Sequence, residues 1–336
     1  MALLGVGGFA VVLYAAGLDR LPALLGADPG WVATAFAAMA AVTVVSTVRW
    51  SQLGDALAAE QVMTFSGYYA ALLTSRVLGL FVSRSGSDLG VRFAAMTAGR
   101  KTAARVAATS VLLDQMFDLC LLLAWLLPAL AILGGAVPPG VGGALLAGAS
   151  VIAIAGMVNL HQVLGYVVAV LGRVLGVVGR APVVGRFLLA RRRNLETLLD
   201  VEHLTQPRLL ALGAVTFLRY LLNAFMFFAV SQALGLDIPW SVFLLTGAVV
   251  QLSLVVAATP GGLGVMDAGW VLGLTAAGVP ASTAAAFLVG QRALQYIGFP
   301  ALGALSYVLL LPTRRQVRGP APASGTGDTT PPASLP

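Results

Sequence analysis

The sequence predicts an all-α polytopic membrane protein with about six full crossings and two broken or re-entrant helical hairpins in an inverted repeat, about eight hydrophobic elements in all. Composition is the first reason. Of 336 residues, 59% are hydrophobic and only 10% charged, and the mean hydropathy is +0.92. Thirteen acids and twenty bases cannot clothe a soluble body of this size, which excludes a soluble two-domain enzyme. The second reason is spacing: uncharged stretches of about 20 residues recur, the length that a hydrocarbon core of ~30 Å demands of a helix. The third is that glycine-rich polar sequence interrupts two of the apolar regions. Irregular backbone at membrane depth is tolerated only where protein or a wet cavity satisfies its amide groups.

Residues 1–18 give the first span, and the absence of a charged leader segment argues against a cleaved signal peptide. Residues 29–48 give the second. The first broken region is 65–105, with Ser83-Arg84-Ser85-Gly86-Ser87-Asp88 at its middle. No charge occurs from 119 to 172, and Pro138-Pro139-Gly140 divides that run into two helices joined by a tight turn. Residues 209–236 carry only Arg219. The second broken region is 240–278, centred on Thr259-Pro260-Gly261-Gly262-Leu263-Gly264, and apolar sequence then continues to 313 past the single charges Asp267 and Arg292. Residues 1–312 therefore read as one transmembrane domain. Within it, 161–207 is a basic cytoplasmic surface segment containing Arg180, Arg186 and Arg191-Arg192-Arg193, where each base near an anionic leaflet contributes about 1 kcal/mol of lipid adhesion. Residues 313–336, rich in Pro, Gly, Ser, Thr and Ala, read as a disordered cytoplasmic tail.

With both termini placed inside, seventeen of the twenty bases fall on or near the cytoplasmic side, Arg49, Arg76 and Arg92 among them. Arg20 alone lies outside, and Arg219 and Arg292 lie within the membrane. That asymmetry sets the orientation expected of an inner (plasma) membrane protein and accounts for the net charge of +7 without nucleic acid. Trp31 and Trp240 fall at the opposite interface, where an indole sits between headgroup and acyl chain. One cysteine, Cys120, excludes a disulfide framework, and His161 and His203 form no metal-binding spacing. No Gly-Lys-Ser/Thr element is present, so ATP hydrolysis is not encoded, and no cofactor is implied.

The two broken regions begin similar units, about 65–135 and about 240–311. Residues 107–115 can be laid on 284–292, and the same offset brings Gly86 within a couple of residues of Gly262. The deduced topology inserts the first hairpin from the inside and the second from the outside, the way many transporters build a site near the bilayer midplane.

Particular motifs extend this reading. Pro260-Gly261-Gly262-Leu263-Gly264-Val265-Met266-Asp267, then Gly278-Val279-Pro280 and Arg292, together with Arg49-Trp50 and Ser83-Arg84-Ser85-Gly86-Ser87-Asp88, form a set. It resembles the flippase-like transmembrane domain of the lysylphosphatidylglycerol synthase superfamily over roughly residues 1–312. The departures are specific: Asp267 stands where that family has Glu, Val82 replaces a proline, Ser87 a glycine, Arg92 comes one residue late, and Gln115 stands where Arg is expected after Ser110, Val111 and Asp114. The resemblance implies movement of lipids or lipid-linked headgroups across the membrane, without the soluble aminoacyl transferase domain to which some relatives are fused.

An ionised group at the bilayer centre costs at least ~2.5 kcal/mol, so every intramembrane charge needs a partner or a task. Arg292 with Arg84, Arg92 or Arg219 could hold a phosphate, because arginine keeps its charge in any cavity and presents a planar fork. Asp267 would hold Arg292 ready when no lipid is bound. Gly261, Gly262 and Gly264 would expose amide groups at the positive end of the following half-helix, where a phosphate could dock, or would simply admit a neighbouring backbone. Asp114 and Asp118, one turn apart, share a helix face and fit interhelical pairing with Arg219 or proton coupling. Asp88 completes the candidate set. Arg76 is expected to snorkel. The alternative is that all these charges are structural pairs locking the repeats together.

The leading functional expectation is a lipid translocase or scramblase that moves an anionic phospholipid or polyprenyl-linked lipid without ATP hydrolysis. The competing expectations are a membrane transferase with Asp88 or Asp267 as general base, and a small-solute secondary transporter. A substrate groove open sideways to lipid would favour the first, and a closed aqueous vestibule the last. The sequence leaves self-association open.

Overall fold

The computed structural model describes residues 26–98, 104–137, 139–159, 162, 204–256, 259 and 262–317, with the side chains of 84–85, 139–140, 252–256 and 308–317 outside that description. The expected first span, most of the basic segment 161–207 and residues 318–336 lie outside the described residues, as do Gly261 and the Arg84 side chain. Nine helices and no strands occur among the described residues: α1 Pro29–Ala58, α2 Phe65–Leu78, α3 Arg84–Thr97, α4 Ala104–Leu133, α5 Pro139–Val158, α6 Gln206–Ala233, α7 Trp240–Val256, α8 Val265–Ala276 and α9 Ala281–Val317. The protein is all-α and membrane-spanning. Among the described residues four helices are long and apolar enough to cross a bilayer: α1, α4, α6, and α5 over Val141–Val158. The tail expected from residue 313 begins as a continuation of α9 to Val317.

Local chemistry sets the helix ends. Asp28 caps α1 by accepting from the Trp31 amide at 2.9 Å, and Pro29 occupies the first turn, where its missing N–H costs nothing. The helix then runs 30 residues, about 45 Å, rather than stopping at Val48, because nothing breaks it before Ala59 turns left-handed at φ 55°. In the first hairpin the break falls at 79–83. Ser83 accepts from the Gly86 amide at 3.0 Å, so the polar Ser-Arg-Ser-Gly-Ser-Asp run opens α3 as its first turn instead of forming the break. In the second hairpin Gly262 (φ 67°) and Gly264 (φ 82°) adopt conformations that side chains resist, which ends the turn and starts α8.

Packing joins the two broken units reciprocally. The first arm of the second hairpin, α7, lies on α4, while the first arm of the first hairpin, α2, lies on α9. Within each unit α2 pairs with α3 and α3 with α4, as α7 pairs with α8 and α8 with α9. Between them α1 and α6 run antiparallel along their length, tied at one end by the Asp28 amide to the Ala233 carbonyl at 2.8 Å and further along by Arg49 to Thr216 at 3.1 Å. One apolar core joins α6, α7, α8 and α9 through Phe227, Phe243, Trp270 and Phe287, whose rings meet at 4.8–6.2 Å in tilted and edge-on contacts. A second wraps Trp125, which stacks edgewise on Tyr220 at 4.9 Å and donates to Ser150 at 2.9 Å. Thr43, Ser46 and Thr47 return their hydroxyls to carbonyls one turn back, so these buried polar residues cost α1 little.

One close approach is testable. A Cβ on Gly54 would stand 2.5 Å from the Tyr68 hydroxyl, which itself donates to Asp55 at 2.7 Å. Gly54→Ala is therefore expected to destabilise the protein by about 1–3 kcal/mol. Adding Tyr68→Phe removes the obstructing atom, so the double variant should lose less than the sum of the two single changes, as read from thermal midpoints in detergent.

Candidate functional site

The intramembrane charges fall into two buried groups. In the first, Arg49 from α1 donates through Nε to Asp114 at 2.6 Å and through Nη1 to Asp118 at 2.5 Å, both on α4. Arg92 from α3 pairs with the second Asp114 oxygen at 2.8 Å, and its guanidinium lies 4.3 Å from the Trp50 ring centre. Arg219 from α6 pairs with Asp118. Three arginines on three helices thus converge on two carboxylates of a fourth, leaving one positive charge in excess. Arg49 and Arg92 are 1% and 2% exposed. Both serve as ion-pair partners inside the protein. A carboxylate pair one turn apart in an apolar environment must draw in cations.

The second group is Asp267 and Arg292. Asp267, fully buried, takes Arg292 Nε at 2.8 Å and Nη2 at 2.6 Å on one oxygen. Its other oxygen accepts the Gly264 amide at 2.9 Å. The positive end of α8, where a phosphate could dock, therefore already holds a carboxylate supplied by its own first turn. Arg292 reaches onward to Gln295 at 3.5 Å. Asp88 belongs to neither group; it accepts from Ser75 across the first hairpin. Gln115 leaves the first unit without a counterpart of Arg292, and Asp114 obtains its cations from α1 and α3 instead.

A chamber of about 50 Å³ is lined by both hairpins together with α1, α6 and α9. Its polar lining is Thr43, Arg76, Asn223, Gln251 and Gln295, and its apolar wall includes Met39, Phe227, Trp270 and Phe299. Trp270 carries an indole N–H with no partner among the described residues. Arg76, expected to snorkel, lines this chamber with Gln295 and Phe299 of α9. The second arginine group thus reaches the chamber through Gln295, and in the first Arg219 lies one turn of α6 from Asn223, which lines the chamber.

Sequence reasoning placed Arg49 in a motif without assigning it a partner, and passed over Thr216, Asn223, Gln251 and Gln295. For Arg49 the missed signal was helix length, since Leu53, Ala56 and Leu57 continue an apolar face beyond it. For the others it was the choice to look only for charges. An uncharged amide in an apolar run also needs a partner at membrane depth.

A model of the lysylphosphatidylglycerol synthase TM region matches residues 2–303. The chain belongs to this family. Comparison with curated proteins and with solved structures returns no match. Membership in the lysylphosphatidylglycerol synthase TM region family fits an all-helical membrane body and carries a lipid-related, flippase-like transport role.

Proposed function

We propose that the protein is a lipid translocase or scramblase of the plasma membrane, with cytoplasmic termini, that passes an anionic phospholipid or lipid-linked headgroup between leaflets without ATP hydrolysis. The observation that carries this reading is a groove that lies further along the same face of α9 as the chamber. Gln295 and Phe299 line the chamber, and Gly303 and Ser306 follow on the same α9 face at spacings of four and three. There they form, with Ala70, Leu73, Thr74 and Val77 of α2, an open and largely apolar groove of about 430 Å³. Exposed Leu78 and Tyr307 stand at its rim. A chamber with polar side chains and an open apolar groove along one helix face suit a headgroup whose acyl chains stay in lipid, and suit a free solute poorly.

The chamber as it stands holds only a few waters, each of which needs about 10–15 Å³. Loading a headgroup therefore requires the two hairpins to part, consistent with rocking of one unit against the other. Arg76 is the side chain that meets the phosphate. Its replacement by alanine removes one charge-assisted hydrogen bond, about 1.5–3 kcal/mol, so translocation should fall roughly 10–100-fold. The measurement uses liposomes of phosphatidylglycerol with a trace of fluorescent phosphatidylglycerol, scoring dithionite access to inner-leaflet probe. Protein-dependent access that Arg76→Ala removes is the expected result. An inactive parent protein, or a covalently altered lipid product, would overturn the reading in favour of solute transport or a transferase.

A further inference from the structure

We propose that Arg219 is an exchangeable anion ligand, released from Asp118 to a phosphate-type oxyanion in the chamber, so that occupancy of the chamber is coupled to the buried ion network. The inference rests on the chamber being the substrate site of the preceding section and assigns it a second cation.

Several observations converge on Arg219. It is half-committed, pairing with Asp118 through Nη2 while its Nε, buried, has no hydrogen-bond partner among the described residues. Arg76 supplies a cation to the chamber wall. Asn223, one turn further along α6, also lines the chamber, so the face that carries Arg219 is turned toward that space. The ion group that includes Arg219 carries one positive charge in excess, and an anion beside it offsets that charge.

What distinguishes Arg219 from the other buried arginines is the state it leaves behind. When it swings away, Asp118 keeps Arg49 at 2.5 Å, and Asp114 keeps Arg49 at 2.6 Å and Arg92 at 2.8 Å. No carboxylate is stranded. Arg292 is in the opposite position: its departure would leave fully buried Asp267 with the Gly264 amide as its remaining hydrogen-bond donor. A buried charge without its partner is strongly disfavoured, so Arg292 is held while Arg219 is free to exchange. By reciprocity, an anion in the chamber weakens the hold of Arg219 on Asp118 as much as Asp118 weakens the anion.

The test uses the full chain purified in maltoside without phospholipid and titrated separately with inorganic phosphate and with dihexanoyl phosphatidylglycerol below its micellar concentration. Asp118→Asn removes the competitor and should tighten both anions about tenfold, within the usual range of a coupling between sites. Arg219→Gln should weaken both by a similar factor. Asn223→Asp leaves the Arg219–Asp118 pair intact but places a carboxylate on the chamber wall, and should also weaken both. Anion affinity unchanged in Asp118→Asn and Arg219→Gln, while Arg76→Ala abolishes it, would overturn the exchange and leave the translocase reading standing. The predicted shifts for phosphate without any lipid translocation by the parent protein would support the exchange and defeat the lipid reading. Binding of neither anion to the parent would defeat both.

Discussion

Asp114→Ala is expected to be among the most damaging single changes in the described core, costing about 3–5 kcal/mol of stability. The carboxylate bridges Arg49 and Arg92, both nearly fully buried, at 2.6 and 2.8 Å. Removing it leaves Arg92 with the face of Trp50 and no carboxylate, and leaves Arg49 to share Asp118 with Arg219. A neutral pocket of the same shape would tolerate alanine; a site holding two guanidinium groups does not. The expected observation is a large drop in the thermal midpoint of the detergent-purified protein, or loss of a monodisperse folded species. Arg92→Met on the Asp114→Ala background should recover part of the loss, because one stranded charge goes with it. A midpoint for Asp114→Ala within a degree or two of the parent would refute the bridging arrangement.

The second large effect concerns Asp267 and Arg292. Either Arg292→Met or Asp267→Leu alone strands a buried charge and should cost about 3–5 kcal/mol, whereas the double variant should recover most of it. Asp267 has a further duty, capping the Gly264 amide, and the double variant still lacks that cap. Its residual deficit should be about 1 kcal/mol, the usual cost of a lost N-cap. Losses that simply add would mean that the two residues act independently. This cycle also separates two meanings of Arg292: a substrate clamp would lose lipid-dependent stabilisation with the fold intact, whereas the geometry here predicts loss of the fold first.

Membrane character, all-helical class, the two interruptions and the family were legible in the chain, because each depends on local composition. A bilayer fixes the length of an apolar run, and a helix-breaking Gly-Gly-Leu-Gly segment marks a turn wherever the rest of the molecule lies. The intramembrane position of Arg219 and Arg292, and the pairing of Asp267 with Arg292, followed from the same logic, since a charge in an apolar run requires a counter-charge.

Which counter-charge it finds is a tertiary question. Asp114 and Asp118 are visible as a pair one turn apart, and Arg219 is an expected partner that the structure places on Asp118; nothing in their neighbourhood names Arg49 and Arg92, which lie 65 and 22 residues from Asp114 along the chain. Arg76 was read by its position near the end of an apolar segment, and only the approach of α9 and the second hairpin turns that position into a chamber wall. The sequence alone determines that the chain is a helical membrane body interrupted at two places and burdened with buried charges, because hydropathy and backbone propensity act over a few residues. Only the packing of α1, α4 and α6 against the two hairpins decides which charges are spent on one another and which face an open space, because Coulomb interactions act through distance in space and not along the chain.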